Sequence, residues 1–214
     1  MKNLSTIQAL IFDLDNTLVS SQLNFKLLRD ILNCPEQVDI LDFIKGMKSA
    51  SLMEQANDFI VSHEMLDALT SSFLPGSKSL LAFIALRKYP VGIVTRNCLQ
   101  AATTKLKKNA IKVDILITRE DYPAKPSPEA LFAIAQLWGI DCQNIVYVGD
   151  HLYDVQAANS AGMISCLITH NIDLSFKDRA HLVFNELHEL EDALKESQPV
   201  METLHTYHLR KREQ

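Results

Sequence analysis

The stretch ALIFDLDNTLV, Ala9–Val19, sets four apolar residues directly before two aspartates that stand one residue apart. The apolar lead reads as a buried strand, and Asp13 and Asp15 fall at its end. Like charges this close repel, and burying either one unpaired is costly. A cation, a ligand or a role in chemistry would resolve that conflict.

Working outward, similar apolar runs recur at 91–95, 113–118, 144–150 and 163–169, with a weaker one at 181–185, beside the first at 8–13. They are continuous rather than alternating, as expected of strands covered on both faces. Helical segments are expected between and after them, over 77–88 with Ser77 as cap, 97–109, 127–138 with Ser127 as cap and Pro128 in the first turn, 153–161 and 186–196. Strand alternating with helix predicts an α/β fold with a doubly wound, Rossmann-like parallel sheet. Residues 20–74 break the rhythm. They hold no convincing strand and read as an all-helical insertion of about four short helices. The expected organisation is a discontinuous core, 1–19 and 76–197, a helical cap at 20–75, and a polar tail at 198–214. An insertion at this point would lie over the sheet edge where open α/β sheets bind ligands.

Composition narrows the function. The chain has 214 residues and a formal charge of −5, so no basic footprint for nucleic acid is present. No apolar run approaches the roughly 20 residues of a membrane-spanning helix, and the N-terminus lacks the layout of a signal peptide. The cysteines, Cys34, Cys98, Cys142 and Cys166, are scattered, which argues against structural zinc and fits reduced thiols in a cytoplasmic protein. A monomer is the default expectation, with a dimer as the alternative.

Parallel strands put their C-terminal ends on one edge. Asp13 and Asp15 end the first strand, Thr95 the second and Asp150 the fourth, with Asp154 four residues on and Lys125 in the loop before the third helix of the core. That constellation resembles the haloacid dehalogenase-like hydrolase superfamily. The family's motifs occur in order as DLDNT (13–17), VTRN (94–97), KPSPE (125–129) and GDHLYD (149–154). The stretch AANSAGM (157–163) and the cap placement are similar to the phosphoglycolate phosphatase-like subgroup.

The resemblance implies a phosphatase acting on a small phosphorylated metabolite through an aspartyl-phosphate. Asp13 would be the nucleophile, since a carboxylate attacking phosphorus splits one hard displacement into two easier ones. Asp15 would protonate the leaving oxygen and then take a proton from the attacking water. Mg²⁺ would be held by Asp13, Asp150, the backbone carbonyl of Asp15, and Asp154 directly or through water. Lys125 would neutralise Asp13 and the transferring phosphoryl. Thr95, with Arg96, Asn97 and nearby backbone amides, would bind substrate oxygens. Arg96 is equally readable as the partner of a surface acid, and Asp154 as the cap of its own helix. His151 stands where a small Ser or Thr is common in the subgroup.

The second aspartate separates this pattern from the dehalogenase branch, which needs no leaving-group acid there. Two other functions share the core residues. A phosphomutase of the β-phosphoglucomutase type would need cap cations, for which Lys26, Arg29, Lys45 and Lys48 are the candidates, though surface solvation explains the lysines as well. A non-catalytic binding protein would be expected to have lost a catalytic residue, and none is missing.

Overall fold

The computed structural model describes residues 4–197; the polar tail lies outside the described residues. Each of the six apolar runs forms a strand: β1 (Ala9–Phe12), β2 (Val91–Val94), β3 (Ile115–Ile117), β4 (Ile145–Gly149), β5 (Ile164–Ile168) and β6 (Leu182–Phe184). They make one sheet in the order β3-β2-β1-β4-β5-β6, parallel throughout. β1 pairs Phe12 with Ile93 on one side and with Val148 on the other. The winding direction reverses at β1 and β4, and such a reversal opens a crevice beyond the carboxyl ends of the strands.

The helices are α1 (Phe25–Leu32), α2 (Ile40–Lys45), α3 (Ala50–Thr70), α4 (Ser77–Leu86), α5 (Leu99–Lys108), α6 (Glu129–Trp138), α7 (Leu152–Ser160) and α8 (Leu187–Ser197). Successive strand residues point to opposite faces, and the two cores follow from that. Leu10 and Phe12 join a cluster with Leu80 and Ile84 of α4, Ala102 and Leu106 of α5, and Leu187, Leu190 and Leu194 of α8. Ala9 and Ile11 join the opposite cluster, with Leu131 and Ile134 of α6 and Ala157 and Ala158 of α7.

The insertion after β1 differs from the expected four short helices. Among the described residues it forms three, and α3 runs unbroken for 21 residues. Nothing interrupts it: the segment has no Pro or Gly, Ser49 caps its start by accepting from the Leu52 amide, and its buried positions fall on one stripe, Ala56, Ile60, Glu64, Asp67 and Ala68. Leu28 of α1, Ile40 and Ile44 of α2, and Ala56 and Ile60 of α3 form a small core of their own with Cys34. The far end of α3 packs on α5 through Ala68, Cys98 and Ala101.

Two expected caps also differ. Ser77 is the first residue of α4, not its cap; Gly76 caps the helix with a left-handed backbone (φ 81°), and the buried Ser77 hydroxyl donates to the Leu18 carbonyl at 2.8 Å. α6 starts at Glu129 with Pro128 at the cap position, so Ser127 stands one residue earlier than expected, its hydroxyl accepting from the Glu129 amide at 3.4 Å.

Candidate active site

Asp13 follows β1 directly, and its amide donates to the Val148 carbonyl of β4 at 2.8 Å, so the strand ladder itself fixes its position. The chain then turns back at Asn16, which adopts a left-handed backbone (φ 55°), a conformation asparagine tolerates better than most residues. Thr17 lands fully buried under the turn and donates to Asp150 Oδ1 at 3.3 Å.

The Lys125 ammonium is the centre of the arrangement. It lies 2.5 Å from Asp13 Oδ1 and 2.6 Å from Asp154 Oδ1, and all three residues are buried. Asp154 is over-determined: its Oδ1 also accepts from the Tyr147 hydroxyl at 3.1 Å, and its Oδ2 accepts from the His151 amide at 3.0 Å. His151 caps α7, its Nδ1 accepting from the Tyr153 amide at 3.2 Å, and His151 and Asp154 form a reciprocal capping box. Both sequence readings of Asp154 therefore meet in one side chain, a helix cap on one oxygen and a partner of Lys125 on the other. The glycine of GDHLYD is required by this closeness, since a Cβ at Gly149 would fall 2.4 Å from Asp154 Cβ.

Asp13, Asp150 and Asp154 can present oxygens that all lie within 4.8 Å of one another. Asp13 and Asp154 thus share one ammonium, with Asp150 beside them. Burial, and then the neighbouring carboxylates, push Asp13 up from an ordinary 3.8 to about 7 even though Lys125 works the other way. Burial, and then Asp13 and Asp154, push Asp150 up to about 8. Burial opposes the charge of Lys125, yet Asp13 and Asp154 hold its pKa above the ordinary lysine value. Such a hard, oxygen-only donor set fits a hard divalent cation.

The remaining candidates line the same cavity, of about 420 Å³. Thr95 and Asn97, both buried, are joined by a bond from Asn97 Nδ2 to Thr95 Oγ1 at 2.9 Å, and Asn97 Nδ2 also lies 2.8 Å from Asp15 Oδ2. Asp15 stands outside the acidic cluster. Arg96 is tied up: its guanidinium pairs with Asp39 of the insertion at 2.5 Å, donates to the Lys125 carbonyl, and lies over the Tyr153 ring at 5.1 Å.

Four participants escaped the sequence reading. Lys105 of α5, fully buried, lies 2.5 Å from Asp15 Oδ1 and 2.7 Å from Asp67 Oδ2. Asp67 of α3 also accepts from Ser21 Oγ at 2.8 Å and from the Gln22 amide at 2.6 Å, on the connection into the insertion. Glu64, one turn earlier, accepts from the Cys98 amide at 3.0 Å and pairs with Arg119. Tyr147 is a fourth, reading from sequence as one more strand residue. A signal existed for the first three: each is a charged residue on the buried stripe of its helix, as Glu64 and Asp67 follow Ala56 and Ile60.

Comparison with known proteins agrees with this geometry. Residues 10–168 match the family described as haloacid dehalogenase-like hydrolase. An uncharacterized hydrolase of Saccharomyces cerevisiae is 26% identical over 89% of this chain and 92% of its own. A phosphoglycolate phosphatase of Synechococcus elongatus is 25% identical over 83% of this chain and 89% of its own. In fold, a hydrolase of Pseudomonas syringae superposes with a TM-score of 0.74 at 22% identity, covering 89% of this chain and 98% of that one. The chain belongs to the haloacid dehalogenase-like hydrolase family.

Proposed function

We propose that the protein is a Mg²⁺-dependent phosphomonoesterase for a small phosphorylated metabolite, with Asp13 as the nucleophile. The observation that carries this reading is the sharing of one buried ammonium, that of Lys125, by Asp13 and Asp154 beside Asp150. A carboxylate fixed by its own strand ladder and flanked by fixed positive charge is poised to attack phosphorus. Asp13, Asp150 and the Asp15 carbonyl would hold the cation, and Asp154 would act mainly by positioning Lys125, because its oxygens already serve Lys125, Tyr147 and the His151 amide. The cation, when bound, offsets charge on the transferring phosphoryl group.

Asp13 attacks phosphorus as the ester bond breaks, and Asp15 passes its proton to the departing alcohol oxygen. A water then attacks the aspartyl-phosphate, gives its proton to Asp15, and phosphate leaves with Asp13 regenerated. Thr95 and Asn97 orient phosphoryl oxygens, and Lys125 offsets their charge. Residues 20–75 act as a cap over this edge, with 1–19 and 76–197 as the catalytic core; the cap's separate hydrophobic cluster supports that division.

The mutase alternative gains no support. Lys26, Lys45 and Lys48 are exposed and absent from the cavity wall, and Arg29 turns its Nη1 to the Pro35 and Val38 carbonyls at 2.7 and 2.6 Å. Phosphate release across a panel of phosphomonoesters, with EDTA and then excess Mg²⁺, tests the proposal. Release abolished by EDTA and restored by Mg²⁺ is expected; chelation without effect would contradict it.

A further inference from the structure

The half of the cavity under the cap differs from the half over the sheet. Leu23, Phe25, Leu28, Ile40, Leu41 and Ile60 all face it. Phe25 is 59% exposed, a large aromatic left at the rim. Most charged groups of the same wall are engaged within the protein. Arg96 holds Asp39, Glu64 holds Arg119 and the Cys98 amide, and Arg29 turns its Nη1 to two backbone carbonyls. Asp39 is doubly committed, its other oxygen accepting from the Leu41 amide at 3.0 Å as the cap of α2. Among the described residues no buried side-chain nitrogen or oxygen lacks a partner. A site built to read hydroxyls or a second anion is rich in polar groups that the substrate satisfies, whereas apolar side chains make up most of the cap side of this cavity.

Resting on the phosphatase reading above, we propose that the alcohol half of the substrate is apolar, an alkyl or aromatic group held against Leu23, Phe25 and Leu41. The cavity of about 420 Å³ is larger than a phosphorylated hydroxyacid needs and sits within the usual range for ligand sites. The Arg96–Asp39 pair keeps the Arg96 guanidinium from recruiting a carboxylate. A hydroxyacid or polyhydroxylated sugar laid against Leu23, Phe25 and Leu41 would lose hydration without gaining partners from those side chains.

Straight-chain alkyl phosphates from methyl to hexyl test this, because their leaving alcohols are alike in acidity and differ only in apolar surface. At about 0.8 kcal/mol per buried methylene, kcat/KM is expected to rise about fourfold per added carbon until the wall is filled. Hexyl phosphate should exceed both phosphoglycolate and glucose 6-phosphate. Leu41→Ser and, separately, Leu23→Ser should flatten the series, read as the hexyl-to-methyl ratio within each variant. A flat or falling series, or preference for the hydroxyacid or the sugar, overturns the proposal. Matching alkylphosphonates, which cannot turn over, are scored by their upward shift of the unfolding temperature. A shift growing with chain length supports the apolar wall even if no ester is hydrolysed, in which case the catalytic reading alone fails; a shift independent of length overturns the wall.

Discussion

Lys105 Nζ bridges Asp15 Oδ1 at 2.5 Å and Asp67 Oδ2 at 2.7 Å, joining the sheet edge to the long helix of the cap with a fully buried ammonium. Burial disfavours that charge, and Asp15 and Asp67 together more than offset it, so the lysine's pKa is raised. Removing one partner of such a network leaves uncompensated charge behind. Lys105→Met is expected to lose about 3–5 kcal/mol in urea unfolding. The loss should be less than additive with Asp67→Asn, since the two side chains share one interaction. Additive losses would show that the bridge contributes little.

Asp15 is the group proposed to move the proton. Asp15→Asn should lower kcat by about 10²–10⁴ on alkyl phosphates, whose leaving oxygen needs a proton. The first step should suffer far less on 4-nitrophenyl phosphate, whose leaving group departs as an anion. Pre-steady-state release of nitrophenol measures that step directly. Equal losses on both esters would remove Asp15 from the acid role.

The acidic cluster predicts a pH-dependent cation effect. Asp13 and Asp150 are raised in the cation-free fold to about 7 and about 8 from 3.8. Between those limits the folded state binds more protons than the unfolded one. Their stabilising contribution is therefore complete below about pH 4 and is lost as pH rises toward 8. A divalent cation requires both groups ionised, so its binding releases protons and strengthens over the same interval. The unfolding-temperature shift given by Mg²⁺ should be small at pH 6 and large at pH 8. A shift that shrinks with rising pH would contradict the cluster as the cation site.

Gly149 admits no side chain. A methyl group there would fall 2.3 Å from Asp154 Cγ, so Gly149→Ala must push Asp154 away from Lys125 and Tyr147. Overpacking of this kind costs about 1–3 kcal/mol. Activity should fall with it, because Lys125 loses its second anchor. Calorimetry and phosphate release on the one variant check both effects, and wild-type values in both would contradict the account.

The sheet was legible because its strands are continuous apolar runs buried on both faces, a pattern that survives without neighbours. The charged residues at strand ends were legible because parallel strands must bring them to one edge. The insertion was less so. α3 reads as several helices when only apolar spacing is followed, because its buried stripe turns polar at Glu64 and Asp67 as it reaches α5. Those acids and Lys105 fall on the buried stripes of their helices, but only packing of α3 on α5 shows which groups they pair with. Arg96 likewise carried two readings until Asp39, 57 residues away, was placed beside it.

The central claim is a covalent phosphoryl on Asp13. Asp15→Asn, mixed with 4-nitrophenyl phosphate and Mg²⁺ and quenched in acid, should carry one phosphoryl group on the peptide containing Asp13 when mapped by mass spectrometry. The same protein with Asp13→Asn added should carry none, and Asp13→Asn alone should release no phosphate. Wild-type turnover in Asp13→Asn, with no phosphoryl group on any peptide of the trapped enzyme, would contradict the account.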